Sequence, residues 1–382
     1  MVIYSAFDVY PSYKGCATHI MHMSEALFQK FKKGKLIVLG NEKLPTYQEE
    51  GDIEIYRIRI SEENFLKRTE IFTLELSNII NKTKGIQLCH FRDIWSGKAI
   101  VSENRKYKTV FEVNSLPSIE LPFKYGALNK STLDKIISIE NYCLEYSDKI
   151  ITPSEITKKY LIGERKIPSH KIQVISNGAE KIGNFPKPVD APEKYIIYFG
   201  ALQKWQGVEI LLQAFSELSD IENLKLIICS SQRENSIKYY HKLSDKLKID
   251  HKIIWKYMLS KNELNAYLQH AMASIVPLRE DERNIIQGAN PIKIIESMAA
   301  SAPLIVSDLP ICKEILTDGI HAKFVRPDRP LFLSRAIRFF YENPEFRFQL
   351  QKEALTRFLE EFTWEKKKKE LKLLYQELIS IE

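Results

Sequence analysis

Strand-length runs rich in Val, Ile, Leu and Phe alternate with segments of helical periodicity along this chain, stop, and then start again. That repeated alternation constrains the fold more than any other feature. The first series has strand-like runs at residues 2–7, 35–39, 53–60, 86–91, 108–113, 149–152 and 171–175. Between the first two, Ile20, Met23, Leu27 and Phe31 form an apolar stripe at helical spacing. A Pro- and charge-rich stretch at 185–194 reads as a linker. The pattern resumes with strands at 195–199, 224–230, 252–257, 273–278 and 304–307 and helices at 208–218, 236–247, 261–271 and 291–300, closed by a final pair of helices. Alternation of this kind predicts parallel sheets covered by helices on both faces. A chain of 382 residues is too long for one core, so two α/β domains in tandem are expected, over 1–185 and 186–360, followed by a C-terminal helix at 361–382. Ligands of open parallel sheets bind outside the carboxyl ends of the strands, which places the expected site in a cleft there.

Composition removes several function classes. Neither half carries a GxGxxG fingerprint, which argues against a dinucleotide enzyme. The longest apolar runs, at 195–200 and 224–229, fall far short of the roughly 18 residues that span a bilayer. The N-terminus lacks a basic region followed by an apolar run, so a cytoplasmic protein is expected. The five cysteines show no paired spacing, which speaks against a CxxC zinc site and a disulfide framework and suits small buried hydrophobes. The net charge is +7, with basic clusters at 30–35 and 366–369. No nucleic-acid motif accompanies them, so nucleic acid is not an expected partner. Each cluster reads as a solvated helix face, or as peripheral contact with an anionic membrane at its inner face.

The most informative segment is 290–308, NPIKIIESMAASAPLIVSD. Asn290 suits an N-cap and Pro291 the first helical position, so a helix is predicted to begin here. Asn290, Lys293 and Glu296 recur at intervals of three and share a face. At a helix N-terminus, unbonded N–H groups and the dipole favour phosphate. Lys293 adds a mobile positive charge there, and Glu296 offers a carboxylate to the two hydroxyls of a ribose. A plain surface Lys–Glu pair is the competing reading.

This segment resembles the donor-binding motif of glycosyltransferase family 4, whose members often read Pro-x-Lys-x-x-Glu-x-Met-Ala before a strand that ends in Asp. Residues 11–19 (PSYKGCATH) resemble the family's first glycine loop, 147–154 (SDKIITPS) and 172–180 (IQVISNGAE) its central landmarks, and 198–215 (YFGALQKWQGVEILLQAF) the opening of its donor domain. Residues 362–378 resemble the last helix, which in this family returns to the N-terminal domain. The resemblance covers nearly the whole chain. It implies a GT-B fold, two Rossmann-like domains facing a central cleft, and retaining transfer from a nucleoside diphospho-sugar with no metal and no other cofactor. On that template the donor-binding residues are Gly15, Cys16, Lys204, Gln206, Asn290, Lys293 and Glu296. Gly15 and Cys16 would present backbone N–H groups to the phosphates, Lys293 would neutralise them, and Glu296 would hold the ribose. Polysaccharide biosynthesis, with a sugar, glycolipid or small-molecule acceptor, is the implied setting.

The chain also departs from the family pattern. Ala201 and Gln206 stand where an Arg and a Lys are common, with Lys204 as a nearby substitute. Gly288 stands where the first of two glutamates would be, and Asn114 where a His is often found. A branch with Trp-x-Gly in this loop fits better, through Trp205 and Gly207. Two N-terminal segments carry the acceptor-side candidates His19, His90, Arg92, Asn114 and Glu120. Segment 89–97 (CHFRDIWSG) follows a strand, and arginine at a strand terminus grips phosphate or carboxylate. A buried structural pair of His90 with Asp93 is the alternative there, and His19 is read either as a cleft residue or as an exposed helix residue. The catalytic candidates are Lys293, Asn114 and Arg92. Two other functions stay open beside the transferase: a UDP-sugar epimerase of the same fold, and a catalytically silent partner subunit.

Overall fold

The computed structural model of the chain describes residues 1–12, 15–126 and 128–380. Tyr13 and Lys14 of the first glycine loop lie outside the described residues. The chain divides into two compact units. Unit 1 comprises Met1–Ser176, Gln287–Ala289 and the C-terminal segment from Glu365; unit 2 comprises Asn177–Ile286 and Asn290–Trp364.

Unit 1 contains β1 (Val2–Val9), β2 (Gly34–Leu39), β3 (Tyr47–Glu50), β4 (Ile53–Ile58), β5 (Leu88–Phe91), β6 (Lys108–Glu112), β7 (Lys149–Thr152) and β8 (Ile172–Val174) in the order β3-β4-β2-β1-β5-β6-β7-β8. Every pairing is parallel except β3 with β4. β3 is absent from the sequence expectation because its residues, YQEE, are largely exposed and give no apolar run. The period of two along each strand sorts the core. On one face Val2, Tyr4, Ala6, Leu88 and Val110 pack with Ile20, Met23 and Leu27 of the Gly15–Phe31 helix, and with Leu371, Leu374, Tyr375 and Leu378 of the Trp364–Ser380 helix. On the other, Ile3, Cys89, Phe91 and Phe111 pack with Phe72 and Leu76 of the Phe65–Lys82 helix and with Trp95, Ile136 and Leu144. All five cysteines are free thiols, four of them buried and Cys16 partly so.

Unit 2 contains β9 (Lys194–Gly200), β10 (Leu224–Ser230), β11 (Ile253–Tyr257), β12 (Ala273–Val276), β13 (Leu304–Ser307) and β14 (Lys323–Val325), all parallel, in the order β11-β10-β9-β12-β13-β14. The three-residue β14 is too short to register as a strand in the sequence. Ile196, Tyr198, Leu226 and Ile228 pack with Leu211, Leu212 and Phe215 of the Val208–Ser216 helix, and with Ile337 and Phe340 of the Pro330–Glu342 helix. Residues 177–185, which the sequence reading sets before the linker, count with unit 2. There the Asn177 N–H donates to Asn290 Oδ1 at 3.1 Å and its Nδ2 to Asn290 O at 2.8 Å. Strand order reverses at β1/β5 in unit 1 and at β9/β12 in unit 2, so each sheet has its crevice at those carboxyl ends. Among the described residues, no helix is long and apolar enough to cross a membrane.

The C-terminal helix is part of the unit 1 core, with Leu374 only 1% exposed. Leu374→Ala is therefore expected to cost about 2–5 kcal/mol in urea unfolding of unit 1. A loss below about 0.5 kcal/mol, the range typical of surface positions, would contradict that packing.

Candidate functional site

In unit 2 the crevice is edged by the loop after β9 and by the Ile292–Ala299 helix. That helix starts later than an Asn290 cap would have it. Pro291, whose ring has no acceptor, is the N-cap and makes no side-chain cap bond, while Asn290 is buried and its Oδ1 accepts the Asn177 N–H. The Asn290 side chain is thus committed to the fold. Ile294, Ile295 and Met298 are fully buried and anchor the helix, which leaves Lys293 and Glu296 on its partly exposed side.

Lys293 Nζ donates to Tyr198 Oη at 3.1 Å and to Gln206 Oε1, and lies 4.2 Å from the centre of the Tyr198 ring. Tyr198 is itself fully buried, and its hydroxyl hydrogen goes to the Ala201 carbonyl at 2.7 Å, so toward Lys293 the oxygen acts as acceptor. Both hydrogen-bond partners of the ammonium are neutral. Burial pushes the Lys293 pKa down to about 7; the Glu296 carboxylate opposes this shift and the Arg283 guanidinium adds to it. Glu296 is held by Lys261 from the Lys261–Gln269 helix, with the carboxylate the less exposed partner at 18% against 47%.

The Trp-x-Gly motif has a local explanation. Gly207 has φ +69°, and a Cβ there would collide with the Pro277 carbonyl. The turn it permits turns the Trp205 carbonyl to accept from Arg279 N at 3.1 Å and Asn284 Nδ2 at 3.2 Å, and the Arg283 guanidinium sits 5.0 Å from the Trp205 ring centre. Lys204, in the same turn, is exposed.

In unit 1 the crevice holds a network centred on Glu112, the last residue of β6, which is 1% exposed. Its carboxylate accepts from Tyr4 Oη at 3.0 Å and from Asn114 Nδ2, and lies 3.0 Å from His19 Nδ1, 3.3 Å from His90 Nε2 and 3.3 Å from Arg92 Nε. Burial alone would raise the Glu112 pKa, but His19, His90 and Arg92 outweigh it and hold the carboxyl well below its usual range. Arg92 also pairs with Asp8 at 2.5 Å.

This arrangement revises several expectations. His90 lies within β5, fully buried, and its second nitrogen meets the Tyr375 hydroxyl at 2.6 Å, so it is a core residue. The His90–Asp93 pair does not form. Asp93 instead caps the Ile94–Ile100 helix, accepting from Ser96 N at 2.8 Å and from Phe7 N at 2.6 Å. Burial, opposed by those two N–H groups, lifts the Asp93 pKa to about 6. His19 is 2% exposed, which excludes an exposed helix position. Arg92 already bridges two carboxylates. Asn114 is partly buried, and Glu120 is partly buried in the first turn of the Pro117–Tyr125 helix. Gly15 opens its helix at an exposed position, with Cys16 half-buried beside it. Sequence reasoning missed Tyr4, Asp8, Tyr198, Lys261 and Tyr375, and gave no role to Glu112. The available signal was polar residues at alternate positions of otherwise apolar strands.

Comparison with known proteins matches residues 13–180 to the model for Glycosyltransferase Family 4 and residues 182–357 to the model for Glycosyl transferases group 1. An uncharacterized glycosyltransferase of Methanocaldococcus jannaschii is 24% identical over 95% of this chain and 94% of its own length. The O-antigen chain mannosyltransferase RfbU of Salmonella typhimurium is 28% identical over 51% of this chain and 52% of its own. Among solved structures, sucrose-phosphate synthase from Thermosynechococcus elongatus superposes with a TM-score of 0.82 at 17% identity, covering all of both chains. Anabaena HepE, in complex with UDP and glucose, superposes with a TM-score of 0.78 at 13% identity over 99% of this chain and all of its own. The chain is a glycosyltransferase of the GT-B type, a family 4 domain followed by a group 1 domain.

Proposed function

We propose that this glycosyltransferase takes its sugar from a nucleoside diphospho-sugar held on unit 2 and transfers it with retention to a hydroxyl acceptor recognised on unit 1. The observation that carries this reading is Lys293. A half-buried ammonium whose two hydrogen-bond partners are neutral, set in the first turn of a helix at the crevice of a parallel sheet, is a site suited to an anion. A diphosphate supplies that anion. The HepE complex with UDP and glucose lends the nucleotide reading support by analogy of fold. In the reaction the bond from the anomeric carbon to the diphosphate oxygen breaks as the acceptor oxygen bonds to that carbon. The acceptor proton leaves on the diphosphate. Lys293 and the helix N–H groups stabilise the charge that gathers on the leaving group. Glu296 accepts the ribose hydroxyls and exchanges part of its contact with Lys261 to do so. Arg92 and Asn114 contribute on the acceptor side. The acceptor is a sugar, glycolipid or small molecule, in line with cell-surface polysaccharide assembly in the cytoplasm or at the inner face of the membrane.

The reading is tested by incubating the chain with UDP- and GDP-sugars and following the donor. Release of free sugar and nucleoside diphosphate supports it; an epimerised donor, or no binding, contradicts it. Glu296→Ala is expected to weaken donor binding by about 1.5–3 kcal/mol in calorimetry while the melting temperature holds, since the carboxylate lies at the surface of its helix. Lys261→Ala, which frees the same carboxylate, is expected to leave affinity unchanged or raise it. Loss of affinity in Lys261→Ala with none in Glu296→Ala would reverse these roles.

Lys293 sets a pH dependence of definite sign. Its pKa is about 7 in the folded chain against an ordinary 10.5, so between those values the unfolded chain binds more protons and stability rises with pH. Lys293→Met should flatten stability across that window. Donor binding runs the other way, because the diphosphate favours the ammonium. At pH 8, binding of a UDP- or GDP-sugar should take up close to one proton, read from calorimetry in buffers of different ionisation enthalpy, and Lys293→Met should take up none. Equal proton uptake in both proteins would show that Lys293 does not meet the diphosphate.

A further inference from the structure

At the carboxyl end of β1 in unit 1, two neighbouring side chains leave the sheet by opposite faces. Asp8 receives Arg92. Phe7 joins the other face, where its ring centre lies 5.1 Å from that of Phe72 and 5.9 Å from that of Phe65, both edge-on. Phe65 in turn lies 5.9 Å from Trp95 and 5.5 Å from Tyr125. Phe65 opens the helix that follows β4, and Tyr125 closes the helix that follows β6, so this line of rings runs on the carboxyl-end side of the sheet. It starts buried at Phe72 and ends exposed at Tyr125, and Leu66, Leu74 and Phe123 are exposed on the same two helices. Aromatic rings also stack on bare sugars, but aliphatic side chains such as Leu66 and Leu74 offer nothing to hydroxyl groups. Beside this surface stands Arg68, its guanidinium 5.8 Å from the Phe7 ring centre and 5.9 Å from that of Phe65. Arg92, Arg105 and Arg165 of the same unit each meet a carboxylate. Among the described residues Arg68 enters no ion pair, and its buried Nε has no hydrogen-bond partner.

We propose that the acceptor is a sugar joined through phosphate to an apolar chain, with the phosphate on Arg68 and the chain along Phe65, Leu66 and Tyr125. The inference rests on the acceptor reading of unit 1 and narrows it to one substrate class. A guanidinium seated on aromatic rings is held in place by them and keeps its N–H groups for an anion. Phosphate accepts those groups in pairs, as a neutral sugar hydroxyl does not. The exposed side chains beside Arg68 call for a second, apolar part on the same ligand, since phosphate alone leaves them in water. An apolar chain alone leaves the guanidinium without an anion. Only a ligand with both parts matches both features. The order of the groups suits transfer as well. Phe7, under Arg68, precedes the Asp8 that holds Arg92, so the phosphate end belongs at the crevice and the apolar end at the exposed Tyr125.

The test is calorimetric titration of the full chain with dodecyl phosphate below its micellar concentration, beside inorganic phosphate and the uncharged dodecyl maltoside. Dodecyl phosphate is expected to bind at least about tenfold more tightly than either. Arg68→Ala and Tyr125→Ser should each weaken it by about tenfold, the first through the lost charged hydrogen bonds and the second through lost apolar contact. Arg68→Gln, which keeps the size and drops the charge, serves if the alanine variant is poorly folded. Phe348→Ser, which removes an exposed ring of unit 2, should change nothing. UDP and GDP, titrated into the same proteins, read the donor site separately and should bind all of them alike. Equal affinity for dodecyl phosphate and dodecyl maltoside, or a loss in Phe348→Ser as large as in Arg68→Ala, means indiscriminate apolar adsorption and overturns the proposal. Binding to phosphatidylglycerol vesicles without binding of monomeric dodecyl phosphate makes this face a bilayer contact and overturns it too. A chain that binds UDP or GDP but not dodecyl phosphate keeps the donor reading and loses this inference. A chain that binds dodecyl phosphate but no nucleotide loses the donor reading, and with it the assignment of this surface to an acceptor.

Discussion

Taking a charge out of water is costly unless something nearby compensates it, and one such charge stands at the crevice of each unit of this chain. In unit 1 it is Glu112, set at the end of a central strand with 1% exposure. Tyr4 from β1, His90 and Arg92 from β5 and its end, His19 from the first helix and Asn114 from the following loop all converge on it. Through His90 the network reaches Tyr375 on the last helix. The carboxylate therefore fixes five chain segments at the crevice, and Arg92 can hold its position only because Glu112 and Asp8 both receive it. In unit 2 the charge at the crevice is the half-buried Lys293, and there the solution is opposite. Its partners are a phenol, a carboxamide and an aromatic ring, which orient the ammonium without neutralising it. The compensated charge makes a rigid wall, whereas Lys293 keeps the hydrogen-bonding freedom that the proposed diphosphate would use.

Much of the fold was legible because parallel sheets buried on both faces write themselves as repeated apolar runs. The strands that escaped detection are those that break this rule. β3 is an exposed antiparallel edge of Tyr, Gln and Glu, and β14 has three residues. The stripe of Ile20, Met23 and Leu27 was legible for the same reason, since all three sit against the sheet. The site was legible only where a motif is local. Lys293 and Glu296 share a helix, so their spacing placed them on one side of it. Glu112 and Tyr4 are 108 residues apart and meet because β1, β5 and β6 are neighbours, an order no single sequence displays. Asn290 shows the converse difficulty. An Asn before Pro reads as a cap, but a backbone N–H from residue 177 claims its oxygen first.

The departures from the family pattern are not equivalent once the backbone is considered. Gly288 has φ +81°, and a Cβ there would lie 2.8 Å from the Thr157 nitrogen and hydroxyl oxygen. A glutamate at that position would need both a strained backbone and a moved neighbour, so its absence is imposed by the local conformation. Gln206 is different. Its carboxamide oxygen accepts a hydrogen bond from Lys293, where a lysine would have repelled it. The substitution removes a cation and repairs the contact in one step.

With an acceptor group in place of a cation, Lys293 is drawn toward the β9 loop and rests over Tyr198 before any anion arrives. Tyr198 cannot turn away, because its hydroxyl is bound to the Ala201 carbonyl and its ring is fully buried. On the proposed reading the ammonium is pre-positioned by groups that would lose little if its hydrogen bonds passed to phosphate, since a phenol and a carboxamide are weak competitors for it. Had a carboxylate held Lys293, as Glu112 and Asp8 hold Arg92, the phosphate would have had to break a charged pair of comparable strength. Neutral partners keep the lysine in place and still available. The same contrast explains why an arginine in unit 1 and a lysine in unit 2, both beside the crevice of a parallel sheet, are suited to different tasks.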